Sequence, residues 1–128
     1  MPKAKQLTVS IENRPGTLAS VANALGHAKV NILAFLSGAS GAEGYVQLVV
    51  DDVNKAEDAL EDGGFSYSVQ DVLHIEVPNK PGALGGLARK LAANNIHITS
   101  GYATTVKASK KASVVLGVSD LDEAARLR

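Results

Sequence analysis

The sequence predicts an α+β protein of two βαββαβ modules in tandem, residues 1–70 and 71–128, the second lacking its last strand. Three observations carry this reading. The chain repeats itself at a nearly fixed offset, each copy passes from strand-like to helix-like hydrophobic periods, and Pro-Gly punctuates both copies at the same place. Asn13-Arg14-Pro15-Gly16-Thr17-Leu18 returns 66 residues later as Asn79-Lys80-Pro81-Gly82-Ala83-Leu84. The same offset lays Leu7, Val9 and Ile11 on Leu73, Ile75 and Val77, and Val30-Asn31-Ile32 on Ile96-His97-Ile98. Leu48, Val50 and Val53 match Leu116, Val118 and Leu121 at an offset of 68, so two extra residues fall where a hairpin turn is expected.

Each element has its own reason. Leu7 to Ile11 alternates apolar and polar residues, the period of a half-buried strand. Pro15-Gly16 ends it, and Leu18, Val21, Ala22 and Leu25 follow at helical spacing, giving one apolar helix face that weakens at Gly26 and His27. Val30 to Leu36 reads as the second strand, Ser37 to Gly44 as a Gly- and Ser-rich hairpin connection, and Tyr45 to Val50 as the third strand. Asp51 or Asp52 is placed to cap a helix carrying Val53, Ala56 and Leu60, which stops at Gly63-Gly64. Phe65 to Gln70 is the fourth strand. The order is that of the ferredoxin-like arrangement, an antiparallel sheet with helices on one face. The second copy repeats it to Leu121–Arg128 and then ends. An unpaired sheet edge invites association, so the second module's edge is expected to pair with the other module or another chain.

Composition bounds the function. Thirteen Lys and Arg balance thirteen Asp and Glu, which gives no basic footprint for nucleic acid. Cysteine is absent, which removes disulfides, thiolate nucleophiles and thiolate metal sites. No apolar run is long enough to span a membrane and no signal core follows Met1, so a cytoplasmic protein is the expectation. Modules of this size bury little surface alone, which makes contact between modules or chains part of the expected fold.

The Asn-x-Pro-Gly loop is where chemistry is expected. Proline fixes φ and supplies no donor where the helix begins, and glycine permits close backbone approach. The first amide groups of the helix have no intrahelical partners and sit at its positive end, a ready place for a carboxylate. Asn13 offers an acceptor and donors to an α-ammonium or carboxylate. Asn31 opens the second strand, far from its own loop, and would meet a ligand held between modules.

Glu12-Asn13-Arg14-Pro15-Gly16-Thr17-Leu18, a helix, and then Val30-Asn31-Ile32 resemble an ACT domain, especially the serine-binding one of phosphoglycerate dehydrogenase. Pro78 to Leu84 and Ile96-His97-Ile98 resemble the same family. The resemblance implies amino-acid binding at interfaces between ACT modules, regulation of a separate enzyme, a homodimer, and no cofactor. It implies a site built from Asn13, Arg14, Pro15, Gly16, Thr17, Leu18, Asn31 and Ile32. The second copy's counterparts are Asn79, Lys80, Pro81, Gly82, Ala83, Leu84, His97 and Ile98. The copies depart from the serine-binding pattern, with Ile11 and Val77 at a histidine position and His97 at the second asparagine, so they are expected to be non-equivalent.

Other residues point elsewhere only weakly. His27 and His74 read as surface residues with no metal-ligand cluster around them. Lys107, Lys110 and Lys111 read as a solubilising hairpin tip. Tyr45 lacks the neighbouring aromatics that RNA-binding sheets use. No nucleophile, phosphate loop or His–carboxylate pairing suggests an enzyme. Two readings follow: an amino-acid-binding regulatory module, or a ligand-free assembly module that mediates oligomerisation.

Overall fold

A computed structural model describes all 128 residues. The elements run β1 (Lys3–Glu12), α1 (Thr17–His27), β2 (Ile32–Ser40), β3 (Glu43–Val50), α2 (Val53–Asp62), β4 (Ser66–Pro78), α3 (Ala83–Ala93), β5 (Ile98–Thr104), β6 (Lys111–Val118) and α4 (Leu121–Arg126). The fold is α+β, and its chain divides into two compact units, Lys5–Gln70 and Asp71–Arg128, the latter joined by Met1–Ala4.

In the first unit β3 is paired antiparallel with both β1 and β2, with Leu7 opposite Leu48 and Val9 opposite Val46. These alternate residues face α1 and α2. Leu7, Val9, Val21, Leu25, Val46, Leu48, Ala56 and Leu60 make a core that excludes solvent almost completely. Asp52 caps α2 by accepting from the Lys55 N–H at 3.1 Å. Asp51 instead accepts from the Asn31 N–H at 2.9 Å, fastening the start of β2.

The hairpin is tighter than its composition suggests. Ser37–Ser40 and Glu43–Gly44, expected as a loose connection, belong to the strands, and only Gly41-Ala42 turn. Two features explain the difference. Gly41 takes φ +62, which glycine adopts without strain. Gly38 lies opposite Tyr45, whose ring occupies the space a Cβ at Gly38 would need, 2.6 Å from the hydroxyl oxygen. An aromatic covering a cross-strand glycine restores the packing that glycine lacks.

β4 is one strand of 13 residues that serves as the first copy's last strand and the second copy's first. Nothing between Ser66 and Val77 is glycine or proline, so nothing breaks it. In the second unit β6 pairs with β4 and β5, and Leu73, Ile75, Leu87, Leu91, Ile96, Val114, Leu116 and Ala124 form the core. Asp120 caps α4 by accepting from the Glu123 N–H at 3.0 Å.

The chain's first residues stand beside β4 in this unit. The His74 N–H donates to the Pro2 carbonyl at 3.0 Å, and Met1 packs against the core. Lys3 meets Asp122 at 2.7 Å. That hydrogen bond and its charge hold the Asp122 carboxyl below the usual range and raise the Lys3 ammonium. No helix is long and apolar enough to cross a membrane.

Candidate functional site

The two Pro-Gly loops share one geometry. Arg14-Pro15-Gly16-Thr17 is a turn closed by Thr17 N–H to Arg14 O at 3.5 Å, with Gly16 at φ 92 and ψ −11. Lys80-Pro81-Gly82-Ala83 repeats it at 3.3 Å, with Gly82 at φ 86 and ψ −11. These are type II values, with proline at the second position and glycine at the third. Pro15 therefore stands in the turn before α1 rather than at its first helical position, and Gly16 is the N-cap.

The consequence for the helices is uneven. α2 and α4 are capped by aspartate side chains, whereas α1 and α3 have no side-chain cap. A left-handed glycine has no side chain to offer, so the Leu18 and Ala19 amides of α1, and the Leu84 and Gly85 amides of α3, are left without an acceptor at the positive end of the dipole.

Asn13 is committed on one side. Its Nδ2 donates to Gly41 O at 2.6 Å while its N–H donates to Ala42 O at 2.9 Å. Asn79 does the same with Ser109 O and Lys110 O, each at 3.0 Å. In both copies the asparagine clamps the hairpin turn and leaves Oδ1 as its remaining acceptor.

Two cavities flank the loop of the first unit. The larger, of about 660 Å³, lies between Glu12, Arg14 and Thr17, the β2–β3 turn at Glu43, and Gly63–Ser66 after α2. The smaller, of about 330 Å³, lies between Asn13, Gly16 and Leu18 and the β2 residues Ser37–Ala39. Ile11 contributes to both walls. Volumes of this size suit small ligands. Arg14 pairs with Glu12 at 2.8 Å, which leaves Glu43 as the cavity's unpaired charge. On α2, away from the cavity lining, Glu61 accepts from the Tyr67 phenol at 2.7 Å and keeps it protonated well above its ordinary range.

Asn13, Arg14, Pro15, Gly16, Thr17 and Leu18 are thus gathered at one end of the unit. Asn31 and Ile32 are at the other end of β2, a strand of nine residues, roughly 25–30 Å away. Asn31 binds Asp51 through its backbone in both directions, and Ile32 packs against the core. In the second unit Asn79, Lys80, Pro81, Gly82, Ala83 and Leu84 form the equivalent loop. His97 pairs with Ser119 by N–H to Oγ at 2.9 Å, and Ile98 joins the core. The histidines stand apart: His74 Nε2 meets Ser113 Oγ at 2.5 Å, and His27 and His97 are exposed. Sequence reasoning missed Ser20, Glu43 and Gly63–Ser66 as cavity residues, because only folding brings the α2–β4 turn beside the β1–α1 loop.

The profile described as ACT domain pair matches residues 3–126. No curated protein matches the chain. Among solved structures, protein BT0572 from Bacteroides thetaiotaomicron is 32% identical with a TM-score of 0.89, over 96% of this chain and 84% of that one. The ligand-free regulatory subunit of aspartate kinase from Thermus thermophilus shares the fold at 16% identity and a TM-score of 0.71, over 98% and 94% of the two chains. The corresponding subunit from Thermus flavus does so at 20% and 0.66, over 96% and 87%.

Proposed function

The chain belongs to the ACT domain pair family, and from that premise we propose that it is a regulatory module that binds a free amino acid and acts on a separate enzyme. One observation carries the reading: the uncapped start of α1 opens beside two cavities lined by its own turn. An amino acid's carboxylate accepts from the first amides of α1. Its ammonium faces Glu43, the unpaired charge of the larger cavity. Ile11 and Phe65 supply apolar wall for a side chain. Asn31 and His97 contribute where a loop of another module approaches them. The partner enzyme is carried over from the aspartate kinase subunits, whose fold this chain shares.

A thermal-shift screen against the twenty amino acids at millimolar concentration tests this. Ligand at a hundredfold excess over its Kd stabilises the native state by about 2.7 kcal/mol. One or two selective hits are expected, and Glu43→Gln should weaken the best of them. A flat screen would sink the reading.

The assembly reading keeps one specific support. β2, on the edge of the first unit, carries no charged residue and no proline, and leaves Leu33, Phe35 and Leu36 exposed. A flat screen from a stable oligomer would favour it.

A further inference from the structure

The zero net charge conceals a division. Between Lys5 and Gln70 stand eight Asp and Glu against four Lys and Arg, a net of −4. The second unit holds the other five acidic and nine basic residues, a net of +4. From Val77 to Ser119 there is no acidic residue, and there are six Lys and Arg.

The acidic excess gathers on α2, against local electrostatics. Glu57 and Glu61, and Asp58 and Asp62, are like-charge pairs at helical i,i+4 spacing, which repel. No basic residue stands in the last turn of α2, where the dipole favours one. Glu57 and Glu61 accept from the Tyr67 hydroxyl, a neutral donor. None of the four carboxylates has an ion pair.

The basic excess has a centre too. Asn79 ties the Lys80 loop to the β5–β6 hairpin through Ser109 O and Lys110 O. Lys80, Lys107 and Lys110 have no ion pair, and Lys111 reaches only Glu76, at 3.4 Å. Val106 projects from the same hairpin, 74% exposed. The matching hairpin of the first unit is shorter and carries Glu43 but no lysine.

We propose that these two surfaces bind each other between copies: the acidic α2 of one chain receives the cationic loop and hairpin of a second. Charge complementarity selects the second copy. An identical chain offers both charges in equal measure, and close opposite charges give register and speed to association. The contact relieves the repulsion within α2 that the chain itself leaves standing.

Sedimentation velocity of the intact chain from 5 to 200 µM, at 20 and 500 mM NaCl without amino acids, tests this. Screening length falls from roughly 20 Å to about 4 Å between those salts. Association at low salt should weaken at least tenfold in Kd at high salt. Two charge-reversed proteins follow, Glu57→Lys/Asp58→Lys/Asp62→Lys and Lys80→Glu/Lys107→Glu/Lys110→Glu, their folding checked by circular dichroism melts. Each alone should lose the salt-sensitive association, and their equimolar mixture should restore it. A monomer at low salt overturns the proposal, as does association that ignores salt or both reversals. The salt series needs no variant, and its outcome is independent of whether any amino acid binds.

Discussion

Asn13 divides its side chain between two tasks. Its amide nitrogen holds the β2–β3 turn, and only its carbonyl oxygen remains for a ligand. Asn79 is spent in the same way, so the recurrence of asparagine has a structural cause that stands whether or not either copy binds anything. Gly16 and Gly82 are required by φ alone. No atom lies within 4 Å of a Cβ built on either, so the cost of a side chain there is backbone strain and not crowding. Gly16→Ala and Gly82→Ala should each cost about 1–2 kcal/mol. Urea midpoints measure this, and unchanged midpoints would mean that the turns can relax out of the left-handed region.

At the scale of elements, the helices fall into two classes by how they begin. α2 and α4 start on aspartates that satisfy their own first turns. α1 and α3 start on glycine turns that do not. Asp52→Ala should cost about 1 kcal/mol, read as a lowered urea midpoint, because the Lys55 N–H loses its acceptor. No effect would mean that water replaces the cap without penalty. The helices, the first strand and an aspartate cap for α2 were legible from period and residue type, but the choice of Asp52 over Asp51 and the Asp120 cap of α4 came only with the structure. The hairpin was not. A Gly- and Ser-rich run reads as a loop, and it is a strand here because Tyr45 covers Gly38 across the ladder, a contact invisible to local propensity.

At the scale of the whole molecule, the second unit takes its outer segment from the opposite end of the chain. Met1 packs on its core, Pro2 accepts from the His74 N–H, and Lys3 pairs with Asp122. Removing Met1–Ala4 should destabilise the second unit by about 1–3 kcal/mol, from exposed apolar surface and the lost hydrogen bonds of Met1 with Ala125, Pro2 with His74 and Lys3 with Asp122. Hydrogen exchange should show faster exchange at the His74 amide and in α4. Unchanged protection there would show that the segment contributes nothing to the unit's stability.

The sequence by itself determined the duplication, the α+β class and the place of each Pro-Gly loop. These depend on periodicity and on backbone restrictions that act over a few residues. Only the tertiary structure decided that β4 is one uninterrupted strand and that residues 1–4 lie beside its second half. It alone also brought Gly63–Ser66 next to Glu12 and Arg14 to enclose a cavity. Those are pairings between residues distant in sequence, fixed by which apolar faces bury each other. The opposite charges of the two units could be counted in the sequence, but they acquired meaning only once the unit boundaries were known. Acidic α2 and the cationic hairpin then proved to lie on different units, the carboxylates of α2 without an ion pair and the hairpin with only that of Lys111 to Glu76.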